Sequence, residues 1–320
     1  MARRTKAAKP SDFSKVIVDT TVQPKAVAFP TDAKLMHRAR ERLARLAEKH
    51  GVRLRQSYAR VGKHALIAYQ RYAHAKQFKR ANRALRRVRT YLGRVFRDIV
   101  RKTKDNANLR QVFAEPLSLA FRVRHQRQNQ RGRKVYSLHA PEVECIGKGK
   151  AHRPYEFGVK VSIATTLTRS KGGQFIAHVK ALPGNPYDGH TLETVIPEIE
   201  TQIGANLARI VADRGYRGHN APPDHKMKVY ISGQKRGLTD AIKRDLRRRS
   251  AVEPVIGHAK GEHRMELPQG SDGDAANAVL AAAGYNFRRL LAWLAVLWRA
   301  FVMALLAAVN DQPAFGEAPA

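Results

Sequence analysis

Acids are scarce in this chain, and three of them stand out by their surroundings. "VIVDTT" and "IVADRGYRG" each close a β-branched apolar run on an aspartate, Asp19 and Asp213. "RRRSAVEPVIGHAK" sets a single carboxylate, Glu253, among Arg247, Arg248, Arg249 and Lys260. Carboxylate oxygens are hard ligands, and Mg²⁺ takes one or two of them while keeping several waters. Two such ions can activate an attacking oxygen and stabilise a leaving one in phosphoryl transfer. Asp19, Asp213 and Glu253 are therefore the candidate catalytic and metal-binding set, with Mg²⁺ the expected ion and Mn²⁺ its substitute. Each acid also has a plainer reading. A strand-ending aspartate serves as a turn former, and Glu253, one helical turn beyond Arg249, serves as a salt-bridge partner. Asp188 in "NPYDGHTL" competes for the place of second aspartate. Its neighbours read as a loop opening a helix, where aspartate is a common cap, so it ranks below Asp213.

The elements that must position these acids are legible as changes of texture. "SKVIVDTT" (14–21) reads as a buried strand ending in Asp19. From Lys34 to Asp105 the chain is rich in Ala, Leu and Arg, lacks proline, and carries 23 basic residues against four acids. That composition predicts helices, punctuated by Gly51 and Gly62, with Tyr58, Tyr69, Tyr72, Phe78, Tyr91 and Phe96 supplying apolar stripes. "KVYSLHAPEVECIG", "YEFGVKVSIATT" and "QFIAHVKAL" predict three strands. A helix is expected over "DGHTLETVIPEIETQIG", opened by Thr191, then strands over "LARIVADRGY" and "KVYISG". A last helix covers "GLTDAIKRDLRRRSAVEPVIGHAK". This is a mixed α/β order. At 100° per residue, Arg249, Glu253 and Lys260 share one helix face.

The segment "R-SAV-E-PVIGHA-K" resembles the arginine, three residues, glutamate, six residues, lysine signature of DDE transposases of bacterial insertion sequences. "VIVDTT" and "IVADRGYRG" resemble the segments carrying that family's first and second aspartates. The resemblance spans residues 15 to 32 and 133 to 265. It implies a ribonuclease-H-like catalytic core and metal-dependent DNA cleavage and strand transfer. Asp19, Asp213 and Glu253 would be the triad, with Arg249 and Lys260 as contacts to DNA or a terminal phosphate. Leu246 stands where the signature often has tyrosine. Eighteen residues precede Asp19, where the family usually has a helical DNA-binding region, so an N-terminal region is expected to be missing.

Composition agrees with a polyanionic partner. Sixty Lys and Arg against 26 acids give a formal charge of +34 over 320 residues, which repels itself in a compact chain and attracts nucleic acid. Arg83, Arg86, Arg87 and Arg94 are candidate phosphate contacts in the helical block. Lys148 and Lys150 in "GKGK" form either a phosphate-binding or a merely solvated hairpin. His139, Cys145 and His152 fit no zinc spacing. Cys145 is the single cysteine, which excludes a disulfide framework and suits a reducing compartment. The basic N-terminus has no apolar core and is not a secretory signal. "LLAWLAVLWRAFVMALLAAV" (290–309) is long enough to span a bilayer, but Arg299 near its middle favours a buried terminal helix, and no membrane partner is expected.

The expectation is thus an α/β protein with a ribonuclease-H-like core and a large basic α-helical insertion after its first strand. Its parts are a basic tail (1–14), the first core segment (15–32), the insertion (33–113), the remaining core (114–265), and an apolar helix and tail (266–320). It is expected to act on DNA, transposon ends and target alike, as a homodimer in the cytoplasm at the nucleoid. The alternatives are a host nuclease of the same fold and a non-catalytic nucleic-acid-binding fragment.

Overall fold

The structure, a computed structural model, describes residues 2–130, 132–149, 151–152, 154–223, 227–266 and 270–310. The chain forms two compact units, residues 1–24 with 159–320 and residues 25–158.

The first unit is built on a mixed sheet. β1 (Lys15–Pro24) lies between β3 (Tyr155–Thr166) and β5 (Arg209–Ala212); β4 (Ile176–Leu182) pairs with β3, and β6 (Lys228–Ile231) with β5. β5 runs parallel to β1 and β6 parallel to β5, while β4 is antiparallel to β3. β3 runs against β1, since Leu167 N donates to Lys15 O at one end and Lys25 N to Phe157 O at the other. β2 (Glu144–Gly147) pairs with Tyr155–Gly158, the part of β3 that belongs to the second unit. β1 is longer than expected, continuing past Asp19 to Pro24, and the predicted strand over 134–147 shrinks to β2.

The two-residue period of the strands sorts their side chains. Val16 and Val18 of β1, with Ile210 and Ala212 of β5, pack on α5 (Leu192–Ile203) through Leu192, Val195, Ile196 and Ile199. Ile17 and Val211 point to the other face, against Val252 of α7 (Val252–Gly261). Each fully buried residue of this kind stabilises by about 1.5–3 kcal/mol. Asp19 and Asp213 have the parity of Ile17 and Val211. They therefore emerge on the α7 face, which is why Glu253 reaches them. The expected helix over 238–260 is broken into α6 (Asp240–Arg247), a 3₁₀ turn (Arg248–Ala251) and α7. Thr239 caps α6, its hydroxyl accepting from Ile242 N. Thr191 does not cap α5; its hydroxyl donates back to Asp188 O at 2.7 Å.

The basic segment forms α1 (Asp32–Lys49), α2 (Ala59–His74), α3 (Phe78–Thr103) and α4 (Ala107–His125). This block outruns the expected end at 113, because Asn106 caps a further helix whose apolar residues, among them Phe113, Leu119 and Val123, join the core of the other three. Gly51 does end a helix, at φ +68°. Gly62 does not: it lies inside α2, where a Cβ would meet Arg40 Nε at 3.0 Å. Its bareness admits a buried arginine, whose Nη1 donates to Ser57 O at 2.8 Å.

The last helix, α8 (Gly270–Asn310), corrects a second expectation. Ala278, Ala281, Ala282 and Tyr285 pack on the sheet, but Leu291, Trp298, Phe301 and Leu305 are exposed, so its apolar half is not a core helix. It is long and apolar enough to cross a membrane by composition alone.

Candidate active site

The three sequence-selected acids meet at one arginine. The pairing of β1 with β5 runs Lys15 with Arg209, Val16 with Ile210 and Ile17 with Val211, and continued two residues it sets Asp19 level with Asp213. Arg249 Nη2 donates to Asp19 Oδ2 at 2.9 Å and lies 3.5 Å from Asp213 Oδ2. The two carboxylates are thus no farther apart than those distances laid end to end. Arg249 Nη1 donates to Glu253 Oε1 at 3.1 Å. Arg249 was expected to face a DNA phosphate; in this arrangement its guanidinium is spent on the acids.

Local structure aims each group. Asp213 directly follows β5, and its Oδ1 accepts from Gly215 N at 2.8 Å, opening a short 3₁₀ turn. A side chain at Gly215 would crowd Asp213 Oδ1 at 2.9 Å and Asp188 Oδ2 at 3.1 Å, so only glycine lets the turn pass between them. Asp19 is 9% exposed. Burial, opposed by Arg249 and reinforced by Asp213 and Asp188, pushes its carboxyl up to about 6. Tyr216 is fully buried behind the acids. Burial first, then the charges of Asp19, Asp188 and Asp213, hold its phenol protonated far above the usual range.

Sequence reasoning placed Asp188 outside the site, and the fold brings it to the rim. Its Oδ1 accepts from Thr20 Oγ1 at 2.9 Å and from the buried Lys160 Nζ at 2.9 Å. Lys160 thereby neutralises a fourth acid beside the other three. The clue in the sequence was Lys160 itself, a lone cation inside the apolar run "VKVSIATT", where an unpaired charge is costly.

Three carboxylates sharing one cation make a donor set that suits a hard divalent ion, with Arg249 standing where positive charge is needed. Among the described residues no three His, Cys, Asp or Glu side chains form a ready-made metal group. The Arg249 guanidinium lies between the acids, and an ion binding there has to displace it.

The predicted basic residues divide. Lys260 is half-buried on α7, two turns beyond Glu253. Lys148 belongs to the helical unit and is half-buried, 3.8 Å from Glu156 in its own hairpin. Lys150 lies outside the described residues. Arg83, Arg86, Arg87 and Arg94 are exposed on α3, opposite the buried stripe of Ala84, Val88, Leu92, Val95 and Ile99. Arg94 also stacks over Tyr58, which in turn stacks on Tyr91 at 4.9 Å. Replacing these four with glutamine keeps helix propensity. If the face lies along duplex DNA, the log–log salt dependence of binding should become shallower by up to about 0.9 per lost phosphate contact. An unchanged slope in a folded variant would mean the arginines face solvent.

A second basic feature was not foreseen. A cavity of about 820 Å³ in the first unit is lined by Arg169, Arg247, Arg248, Arg288, Arg289 and His258, among others, with no acid in its wall. Arg248 Nε donates to Leu167 O at 2.9 Å and Arg289 Nε to Gly172 O at 3.2 Å, so backbone carbonyls hold both guanidinium heads in place. Gly173, at φ +100°, leaves the space that Arg289 fills. Glu262 pairs with Arg288 and His258 at the rim. Gathered cations held by backbone suit phosphate oxygens.

No family model matches the chain, and no solved structure matches it. It is similar to an uncharacterized protein, ORF8 in the nfe locus of Rhizobium meliloti. The two are 53% identical over 77 residues, which make up 24% of this chain and 37% of that protein. The shared stretch carries no statement of activity.

Proposed function

We propose that the chain is a DDE-type transposase that cleaves DNA and joins the ends in a divalent-metal-dependent reaction. The observation that carries this reading is the convergence of Asp19, Asp213 and Glu253 on Arg249 from two adjacent parallel strands and the helix packed over them. The topology supports a ribonuclease-H-like core. Three antiparallel strands are continued by two parallel ones, with the first acid on the central strand and the second on its parallel neighbour. The surplus of basic residues supports a DNA partner.

In this reading Asp19, Asp213 and Glu253 would hold Mg²⁺, or Mn²⁺ in its place, and the bound ion would supply activation of water or a 3′-hydroxyl and stabilisation of the departing 3′-oxygen. The chain's own groups do the rest. Arg249 keeps the carboxylates together and offsets part of their charge before an ion enters. Lys160 keeps Asp188 from adding a further negative charge. The arginine-lined cavity, Lys260 and the cationic face of α3 bind phosphates without reading bases. Attack is in line and leaves no covalent protein–DNA intermediate. The working assembly is a homodimer at the nucleoid in the cytoplasm.

Incubation with duplexes carrying the ends of its element and Mg²⁺ should yield nicks with 3′-hydroxyl ends, then joined products. Nicks without joining would indicate a nuclease. Tight binding with no metal-dependent product would indicate a non-catalytic protein, a reading that the guanidinium among the acids also suits.

A further inference from the structure

Between Leu290 and Ala308 the exposed half of α8 is apolar at every position but Arg299, and its largest side chains are unevenly placed. Phe287, Leu291, Leu294, Trp298, Phe301 and Leu305 follow one another at alternating steps of four and three residues. This is the a/d spacing of a coiled coil. At 100° per residue the six fall within a sector of about 80°. All six are more than two-fifths exposed, from 43% at Leu294 to 66% at Trp298. Leu280, 68% exposed, lies on the same line one heptad earlier. Ala278, Ala281, Ala282 and Tyr285, which bury α8 against the sheet, project from the opposite side, so packing in this unit leaves the seam uncovered. Arg288, Arg289 and Arg299 also lie off the seam.

We propose that this seam binds the same seam of a second copy of the chain, pairing two α8 helices as a coiled coil. The residue distribution favours a helix over a lipid bilayer as occupant. A bilayer would take Arg299 into its middle, whereas a paired helix covers the six seam side chains and leaves Arg299 in water, with Val296, Leu297, Met303 and Leu306 remaining exposed off the seam. The area is adequate. Three aromatic side chains, each able to bury about 150–250 Å² and each more than half exposed, together with three leucines offer on the order of 600 Å² per copy. Stable interfaces begin at about 600 Å² per partner, so the seam meets the lower end of that range. The pairing deepens the homodimer proposed above by naming its surface. It stands apart from the chemistry of the acids, so either can fail alone. Because each copy carries +34, association should tighten as salt screens the repulsion, the reverse of DNA binding.

Light scattering on the full chain in detergent-free buffer should return twice the chain mass. The double variant Leu294→Glu with Phe301→Glu should return the single mass, with helix content retained because both residues are exposed within the single chain. Val296→Glu with Met303→Glu places the same charges off the seam, at residues 53% and 67% exposed, and should stay dimeric. A monomeric wild type would overturn the proposal. So would equal disruption by the two variants, or flotation of the wild type with phosphatidylcholine vesicles that both variants abolish, which would assign α8 to a membrane.

Discussion

Asp213→Asn should lower Mg²⁺-dependent DNA cleavage by roughly 10³-fold or more while leaving duplex affinity within about twofold. The amide keeps an oxygen where Oδ1 accepts from Gly215 N, so the turn that aims residue 213 survives. What it removes is charge. A neutral amide is a poor ligand for a hard divalent ion, and stabilisation of the transition state by such an ion is worth several kcal/mol. Affinity survives because phosphates are held by arginines and lysines elsewhere. The measurement is paired: product formation on labelled duplexes and equilibrium binding of the same duplexes at fixed salt. Retained cleavage would remove Asp213 from the site. Cleavage and binding falling together would make Asp213 a structural residue that organises the unit through Arg249.

Asp19→Asn should raise stability at neutral pH and above. A carboxyl whose folded pKa is about 6 against an ordinary 3.8 favours its proton in the folded state. The stability linked to that proton is therefore fully present below the ordinary value, declines as pH rises between about 4 and 6, and is gone above. The shift corresponds to an order of magnitude of 3 kcal/mol. Asparagine never ionises. In chelator at pH 8 the variant should melt several degrees above wild type, and the gap should close by pH 4. Mg²⁺ should then raise the melting temperature of the wild type above pH 6, since an ion binding only the folded state stabilises it, and leave Asp19→Asn unmoved. A variant less stable than wild type at pH 8 would show that the Asp19–Arg249 pair is a net structural bond and that no charge strain is stored at the site. Higher stability with lost cleavage is the trade expected where buried like charges are kept for function.

Much of this was written in the chain. The β-branched runs that end near Asp19 and Asp213 are strands because their side chains pack on pleated, half-buried surfaces, and the period of two decides which face each acid takes. Lys34 to Asp105 is helical because its residues are strong helix formers, and its apolar positions recur with helical period. The spacing of Arg249, Glu253 and Lys260 is likewise local information. Other features depend on contacts distant in sequence, which no local pattern carries. That Asp188 joins the rim depends on Thr20 and Lys160, residues 168 and 28 positions away. That Gly62 continues a helix where glycine suggested a break depends on Arg40 being buried against it. Hydrophobic content marked 290–309 as apolar but could not say whether the fold would cover it, since burial is a property of neighbours and not of composition. The residue types and strand parity made the three acids candidates. Only the register of β1 on β5, and α7 laid across them, brought those acids within reach of one guanidinium.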